Sequence, residues 1–283
     1  MKGLLLYNIN AGKGHIARRV EGLIAIFREA GIELRSKLIN FNVNPFEGDE
    51  DAEIAVICGG DGTINYVVNS MRALGLNPVL GIIPAGTAND FANSLGMPRN
   101  IFKAARQIAN GHDTKVDCGV VNGYRFVNVL SFGVLTTTSQ RTSDKEKHLV
   151  GKLAYLRVGS RDLRTMHRIP LIIRINGEEF STDAVMFLAL NGKSAGHFPL
   201  APNAMVDDGM LDVLIMEYGK PVRTCWNMMR YLLGNKPSAV RYMRSNRIEI
   251  LSDICERTDV DGQRGPDFPM LVECEHNALT VRR

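Results

Sequence analysis

The chain has 283 residues, 45% hydrophobic and 23% charged, with a formal net charge of +4. That composition excludes a disordered or fibrous chain and suits two globular domains, each able to bury a core without staples. The charge is too mild to argue for nucleic acid, and the five scattered cysteines suggest neither a disulfide framework nor a zinc site.

In chain order, residues 4–7 read as a short strand and 18–30 as a helix with apolar residues at helical spacing, stopped by Gly31. Strands at 32–39, 54–58 and 79–83 alternate with helices at 64–74, 89–94 and 101–110. This alternation predicts right-handed βαβ crossovers and a mostly parallel sheet, with a ligand at the carboxyl ends of its strands. Beyond about residue 121, short β-branched and aromatic segments take over, among them "RFVNVLSFG", "IPLIIRING" and "GMLDVLIMEYG", several ending in Asn-Gly or similar turns. They predict a mostly antiparallel β-domain with one helix at 222–233. The expected fold class is α/β plus β: an α/β domain over 1–121 and a β-rich domain over 122–283. The first residues lack a secretory apolar core and no run approaches the length of a membrane span, so a cytoplasmic protein is expected.

Three turns carry the candidate chemistry. "GKGHIA", at 12–17, fits a dinucleotide fingerprint only loosely, because Glu33 falls at the start of the second strand rather than its end. The plainer reading is a turn that opens a helix, where backbone N–H groups and Lys13 meet a phosphate; a purely structural turn competes with it. In "GGDGT", Gly59, Gly60 and Gly62 permit close backbone approach and positive φ, while Thr63 is placed to cap a helix starting at Ile64. Asp61 is then left for Mg²⁺, a water network or a hydroxyl, or serves only as a turn former. "GIIPAGTANDFANSLG" repeats the strand-turn-helix design with Gly86, Thr87, Asn89 and Asp90, so two such turns converge on one crevice.

Together "GGDGTINYVVNS", "GIIPAGTANDFANSLG", "TKVDCGVVN", "APNAMVDDGMLDV" and "VDGQRG" resemble, in order and rough spacing, the bacterial soluble diacylglycerol kinases. These lipid kinases share a catalytic domain with sphingosine kinases and, more distantly, with NAD kinases. The resemblance implies a three-layer α/β ATP-binding domain, an NAD kinase-like β-sandwich, and ATP and Mg²⁺ as cofactors. ATP would be cradled by the segment Asn8, Gly12, Lys13 and Gly14, by Gly60 to Thr63, and by the turn containing Thr87. Asp61, Asp90 and Asp117 would hold a catalytic Mg²⁺ through water, and Asp208 with the carbonyls of Met205 and Met210 a structural metal. Asp261 would be the general base toward a lipid hydroxyl, most simply that of diacylglycerol, giving phosphatidic acid.

Two positions depart from the family pattern: Tyr66 stands where Glu is usual, and Gln263 where the last motif reads Asp-Gly-Glu. They motivate a catalytically impaired nucleotide- or lipid-binding regulator as one alternative, beside an NAD kinase-like phosphotransferase. The implied partner is a lipid drawn from the inner face of the membrane by peripheral contact, with no nucleic acid; a homodimer is also entertained. In "KPVRTCWNMMRYLLGNKPSAVRYMRSNR", Trp226, Met229, Leu232 and Leu233 can share a helical face among arginines. Contact with an anionic bilayer is one reading, and packing of that stripe on the β-domain is the preferred one.

Overall fold

A computed structural model describes residues 1–9, 11, 16–134 and 166–283. The chain forms two compact units. The first contains Met1–Cys118, Val206–Asp208 and His276–Arg283, and the second Gly119–Met205 and Gly209–Glu275. The expected blocks of 1–121 and 122–283 did not include this return of two later segments to the first unit.

In the first unit, strands β1 (Lys2–Tyr7), β2 (Glu33–Leu38), β3 (Ile54–Gly59) and β4 (Val79–Pro84) pair in parallel, in the order β4-β3-β1-β2. Residues 4–6 and all of β3 are buried, as expected of strands covered by helices on both faces. β2, "ELRSKL", is mostly solvent-facing, and its charges suit an edge strand. Helix α1 (Val20–Glu29), preceded by a 3-10 turn at Ala17–Arg19, buries Val20, Leu23 and Phe27. Helix α2 (Asp61–Ala73) links β3 to β4. Helices α3 (Asp90–Ser94) and α4 (Ile101–Asn110) follow, α4 being capped by the Asn100 side chain, which accepts from the N–H groups of Phe102 and Lys103. Strand β5 (Asp113–Val121) leaves this unit at its end, and the last residues of β15 (Met270–Arg282) return to it beside β4, through Val281 and Leu80. Because β1 connects to β2 on one side while β3 lies on the other, the order reverses between β1 and β3, which places a crevice outside their carboxyl ends.

The second unit is antiparallel throughout its described pairings. β6 (Tyr124–Phe126) pairs with β5; β7 (Val129–Gly133), β8 (Ile169–Ile175) and β10 (Leu211–Glu217) pair with the long β9 (Glu178–Leu190). β11 (Val240–Ser245) pairs with β10, and β12 (Arg247–Leu251) lies between β8 and β15. β13 (Thr258–Val260) pairs with β7 and with the short β14 (Gln263–Arg264). Two apolar clusters fill the unit, one around Phe126, Phe132 and Phe187, the other around Leu188, Leu214 and Met216. Two-residue turns at Asn122–Gly123, Asn176–Gly177 and Asp261–Gly262 all have positive φ at both positions, the hairpin chemistry that Asn-Gly and Asp-Gly favour. Helix α5 (Pro221–Leu232) packs Met228, Tyr231 and Leu232 on the second cluster.

Candidate active site

The loops that follow β1, β3 and β4 meet at the carboxyl edge of the parallel sheet. The Asn8 side-chain amide donates to the Thr63 hydroxyl at 3.4 Å, joining the first loop to the second. Ala85 N–H donates to the Gly59 carbonyl at 2.9 Å, joining the second to the third. Gly60 and Gly86 then touch backbone to backbone: a Cβ on Gly60 would lie 3.0 Å from the Gly86 Cα, and one on Gly86 only 2.4 Å from the Gly60 Cα. Asn89, itself in the left-handed region at φ 55°, locks the third turn by accepting from Gly86 N–H at 2.8 Å and donating to the Gly86 carbonyl at 2.9 Å.

Two local expectations are corrected here. Gly59, Gly60, Gly62 and Gly86 do not have positive φ, and Gly60 is extended at φ −101°, so close approach alone requires glycine at Gly60 and Gly86. Thr63 is not a cap either: α2 starts at Asp61 with Gly60 as N-cap, and Thr63 is buried within its first turn, holding Asn8. Thr87 is exposed on the third turn, and Gly62 is half-buried at the start of α2. Gly12, Lys13 and Gly14 lie outside the described residues.

Asp61 stands at the N-terminus of its own helix and caps the next one. Its two carboxylate oxygens accept from Phe91 N–H at 3.0 Å and Asp90 N–H at 3.1 Å, which satisfies the first turn of α3. Burial pushes the Asp61 carboxyl up to about 6, and the nearby Asp90 carboxylate adds to that, against the lowering effect of the Phe91 and Asp90 N–H groups. Asp61 and Asp90 are thus brought together, and Asp90 is 2% exposed.

Asp117 is hydrogen-bonded to the last strand. Fully buried on β5, it accepts from Asn277 N–H at 2.8 Å and pairs with His276 Nδ1 at 2.8 Å, tying β5 to the end of β15. Among the described residues, no three His, Cys, Asp or Glu side chains converge as a metal cluster. Asp208 is half-buried in a bend that runs into Gly209, with the Met205 and Met210 positions flanking it, before β10 begins.

In the second unit Asp261 forms the first residue of the β13–β14 turn, at φ 50°, yet its side chain is buried. The carboxylate accepts three consecutive backbone N–H groups: Val127 at 2.7 Å on one oxygen, Asn128 at 3.0 Å and Val129 at 2.8 Å on the other. This explains why "RFVNVLSFG" is two strands rather than one, since the carboxylate takes the N–H groups a ladder would use. Asn191 supports the same spot by donating to the Val127 carbonyl, and Asn128 donates to the Ser194 carbonyl. The Asn128 Oδ1 atom is buried without a hydrogen-bond partner among the described residues. Gln263 accepts from the Tyr124 hydroxyl at 3.5 Å, and Tyr124 is pushed up by burial and then by the Asp261 charge.

Sequence reasoning missed Asn128, Asn191, Tyr124 and His276, because each earns its place through a partner more than 60 residues away. No spacing rule carries such pairings. Tyr66, the first family departure, has a use of its own: its hydroxyl donates to the carbonyls of Asn40 at 3.1 Å and Val43 at 2.7 Å, and its ring meets Phe41 edge-on at 4.9 Å.

Known proteins resemble this chain in sequence and fold. Residues 2–121 match the diacylglycerol kinase catalytic domain, and residues 128–283 match the YegS C-terminal NAD kinase beta sandwich-like domain. The diacylglycerol kinase of Bacillus subtilis (strain 168) is 30% identical over 274 residues, spanning 94% of this chain and 90% of its own. That of Staphylococcus aureus (strain MRSA252) is 33% identical over 273 residues, spanning 94% and 87%. A crystal structure from Bacillus anthracis str. Sterne, provisionally named a diacylglycerol kinase, matches with a TM-score of 0.83 at 26% identity, covering 99% of this chain and 94% of that one. With both domain families matched in order along almost the whole chain, this protein belongs to the diacylglycerol kinase family.

Proposed function

We propose that this family member is an ATP-dependent lipid kinase that phosphorylates diacylglycerol to phosphatidic acid. The observation that carries the phosphate site is the convergence of three loops at the carboxyl edge of β1, β3 and β4, with Gly60 and Gly86 in backbone contact. Such a surface brings backbone and the N-terminus of the thirteen-residue α2 to an anionic ligand without side chains in the way.

The donor chemistry fits Mg²⁺, which is commonly held by one or two carboxylates with waters and substrate phosphates rather than by a full protein cage. Asp61 and Asp90 are the residues that would hold it: burial first, and then repulsion from the neighbouring Asp90 carboxylate, raises the Asp61 carboxyl, and a cation would relieve that repulsion. When bound, the ion neutralises charge on the transferring phosphoryl group. Asp208, with the oxygen donors flanking it, is proposed for a structural cation on the chemistry of that donor set alone.

Asp261 is proposed as the base that takes the acceptor hydroxyl proton. Three N–H donors hold its two oxygens in one orientation, as a base that must meet a hydroxyl requires. The lipid acceptor is proposed to be drawn from a membrane surface; among the described residues no helix is long and apolar enough to cross one. The test is incubation with radiolabelled ATP, Mg²⁺ and a panel of lipids in mixed micelles, with NAD as competing acceptor. Label in phosphatidic acid is expected. Label in NAD alone, or ATP binding with no product from any acceptor, would replace this reading with the NAD kinase-like or the regulator alternative.

A further inference from the structure

Helix α5 has two opposed faces, and the outer one is apolar. Thr224, Asn227 and Met228 are buried against the β-strands, with Tyr231 anchored by donating to the Leu200 carbonyl at 2.6 Å. Val222, Trp226, Met229 and Leu233, in contrast, are 78%, 59%, 39% and 72% exposed. At about 100° per residue these four fall within roughly 60° of one another, forming a single narrow stripe. The reading of this stripe as core is therefore corrected: only Leu232 of the four residues first grouped packs inward. Exposed single apolar residues are ordinary, but four aligned on one helix, including a tryptophan, are not.

The charge around the stripe indicates what covers it. Residues 219–247 contain seven Lys or Arg and no Asp or Glu. Arg241 is paired with Glu217, Arg244 with Asp212 and Arg247 with Glu273. Lys220, Arg223, Arg230 and Lys236 form no ion pair among the described residues, and all four are exposed. Arg223 and Arg230 flank the stripe on one side. A second copy laid face to face on this helix would oppose cations to cations. An anionic bilayer instead satisfies both features, since apolar side chains enter the acyl boundary and each cation gains about 1 kcal/mol at the negative surface.

We propose that α5 is a membrane-docking helix that lies in the interface of an anionic bilayer with Val222, Trp226, Met229 and Leu233 inserted. The kinase reading explains why the protein would visit a bilayer, but the test uses no turnover, so failure of either leaves the other standing. Trp226 is the sole tryptophan of the chain, so its emission reports this helix directly. The full chain is mixed with vesicles of phosphatidylglycerol and phosphatidylcholine, then with phosphatidylcholine alone, with brominated acyl chains as quencher. Docking is expected to give a blue shift and bromine quenching on the anionic vesicles, lost at high salt. The variant V222S/L233S, with its circular dichroism unchanged, is expected to lower vesicle partitioning about tenfold or more, because two exposed apolar side chains no longer transfer.

Binding to vesicles without any change in Trp226 would show that another surface docks and would overturn the proposal. So would emission that is already blue-shifted without lipid and reverts to red on dilution, with the variant dissociating a dimer in sedimentation. Absence of all vesicle binding in the wild type would overturn it equally.

Discussion

At the scale of single residues, glycine in the two turns that follow β3 and β4 is required by contact, which yields a ranked expectation. Gly86→Ala drives a Cβ to 2.4 Å from the Gly60 Cα and must move backbone, whereas Gly60→Ala meets Gly86 at 3.0 Å and asks only for a small adjustment. Overpacking of this kind costs about 1–3 kcal/mol. Gly86→Ala is therefore expected to lose more stability and more ATP affinity than Gly60→Ala, by denaturant titration and calorimetry; the reverse order would mean the loops do not touch. Asp61 gives a pH signature. Its folded-state value of about 6 lies above the ordinary unfolded value of about 3.9, so the folded protein holds this proton more tightly. That contribution is fully present at low pH and is lost as pH rises through about 6. Between pH of about 4.5 and 7.5 the wild type should lose stability relative to Asp61→Asn, on the order of 1 kcal/mol. Parallel curves for the two proteins would assign Asp61 no such titration. Tyr66 is the third case: Tyr66→Phe should cost about 1 kcal/mol for the lost donor to Asn40 and Val43. Tyr66→Glu, the residue usual in the family, should cost more, because an ionised carboxylate cannot donate to those carbonyls; a Glu variant as stable as wild type would contradict this.

At the scale of elements, the parallel sheet was legible because its strands are continuous apolar runs with turn residues at their ends. β3 reads "IAVICG" and is buried along its length. Helix α4 matches its expected span of 101–110, since Asn100 caps it visibly in the sequence. Helix α2 begins three residues earlier than 64, because the sequence offers Thr63 as the obvious cap and hides the true arrangement, in which Gly60 is the cap and Asp61 serves α3. The break between β6 and β7 was not legible for the same reason: the carboxylate that causes it comes from Asp261, far along the chain. Helix α5 was found within a residue at each end, yet its exposed face was misassigned. Periodicity shows that a stripe exists and is silent on which side of the helix the strands lie.

At the scale of the whole molecule, the feature least visible in the sequence is the return of the last strand to the first unit. His276–Arg283 is held there by backbone bonds between His112 and Arg283 in both directions, by Arg282 on Asp113, and by Asp117 on His276 and Asn277. Asp117→Ala removes the acceptor of the exposed Asn277 N–H and the partner of His276, a loss of about 0.5–1.5 kcal/mol for each bond in denaturant titration. Deleting residues 276–283 should cost far more and abolish cooperative unfolding of the first unit, followed by circular dichroism. Survival of a cooperative transition after deletion would mean that the sheet β4-β3-β1-β2 is self-sufficient. Asp117, expected from the resemblance in a water-mediated Mg²⁺ network, also anchors this strand through His276 and Asn277.

The role proposed for Asp261 is to accept the proton of the lipid hydroxyl during phosphorylation. Its most direct test is phosphatidic acid formation by wild type and Asp261→Asn in mixed micelles with diacylglycerol, alongside ATP affinity for both proteins. Asparagine keeps one oxygen for the N–H groups of Val127, Asn128 and Val129 but cannot take the proton. The expected result is turnover lowered about 10²-fold or more with ATP affinity nearly unchanged, the scale of a lost general base. Full turnover in Asp261→Asn, folded as judged by its thermal midpoint, would contradict the account.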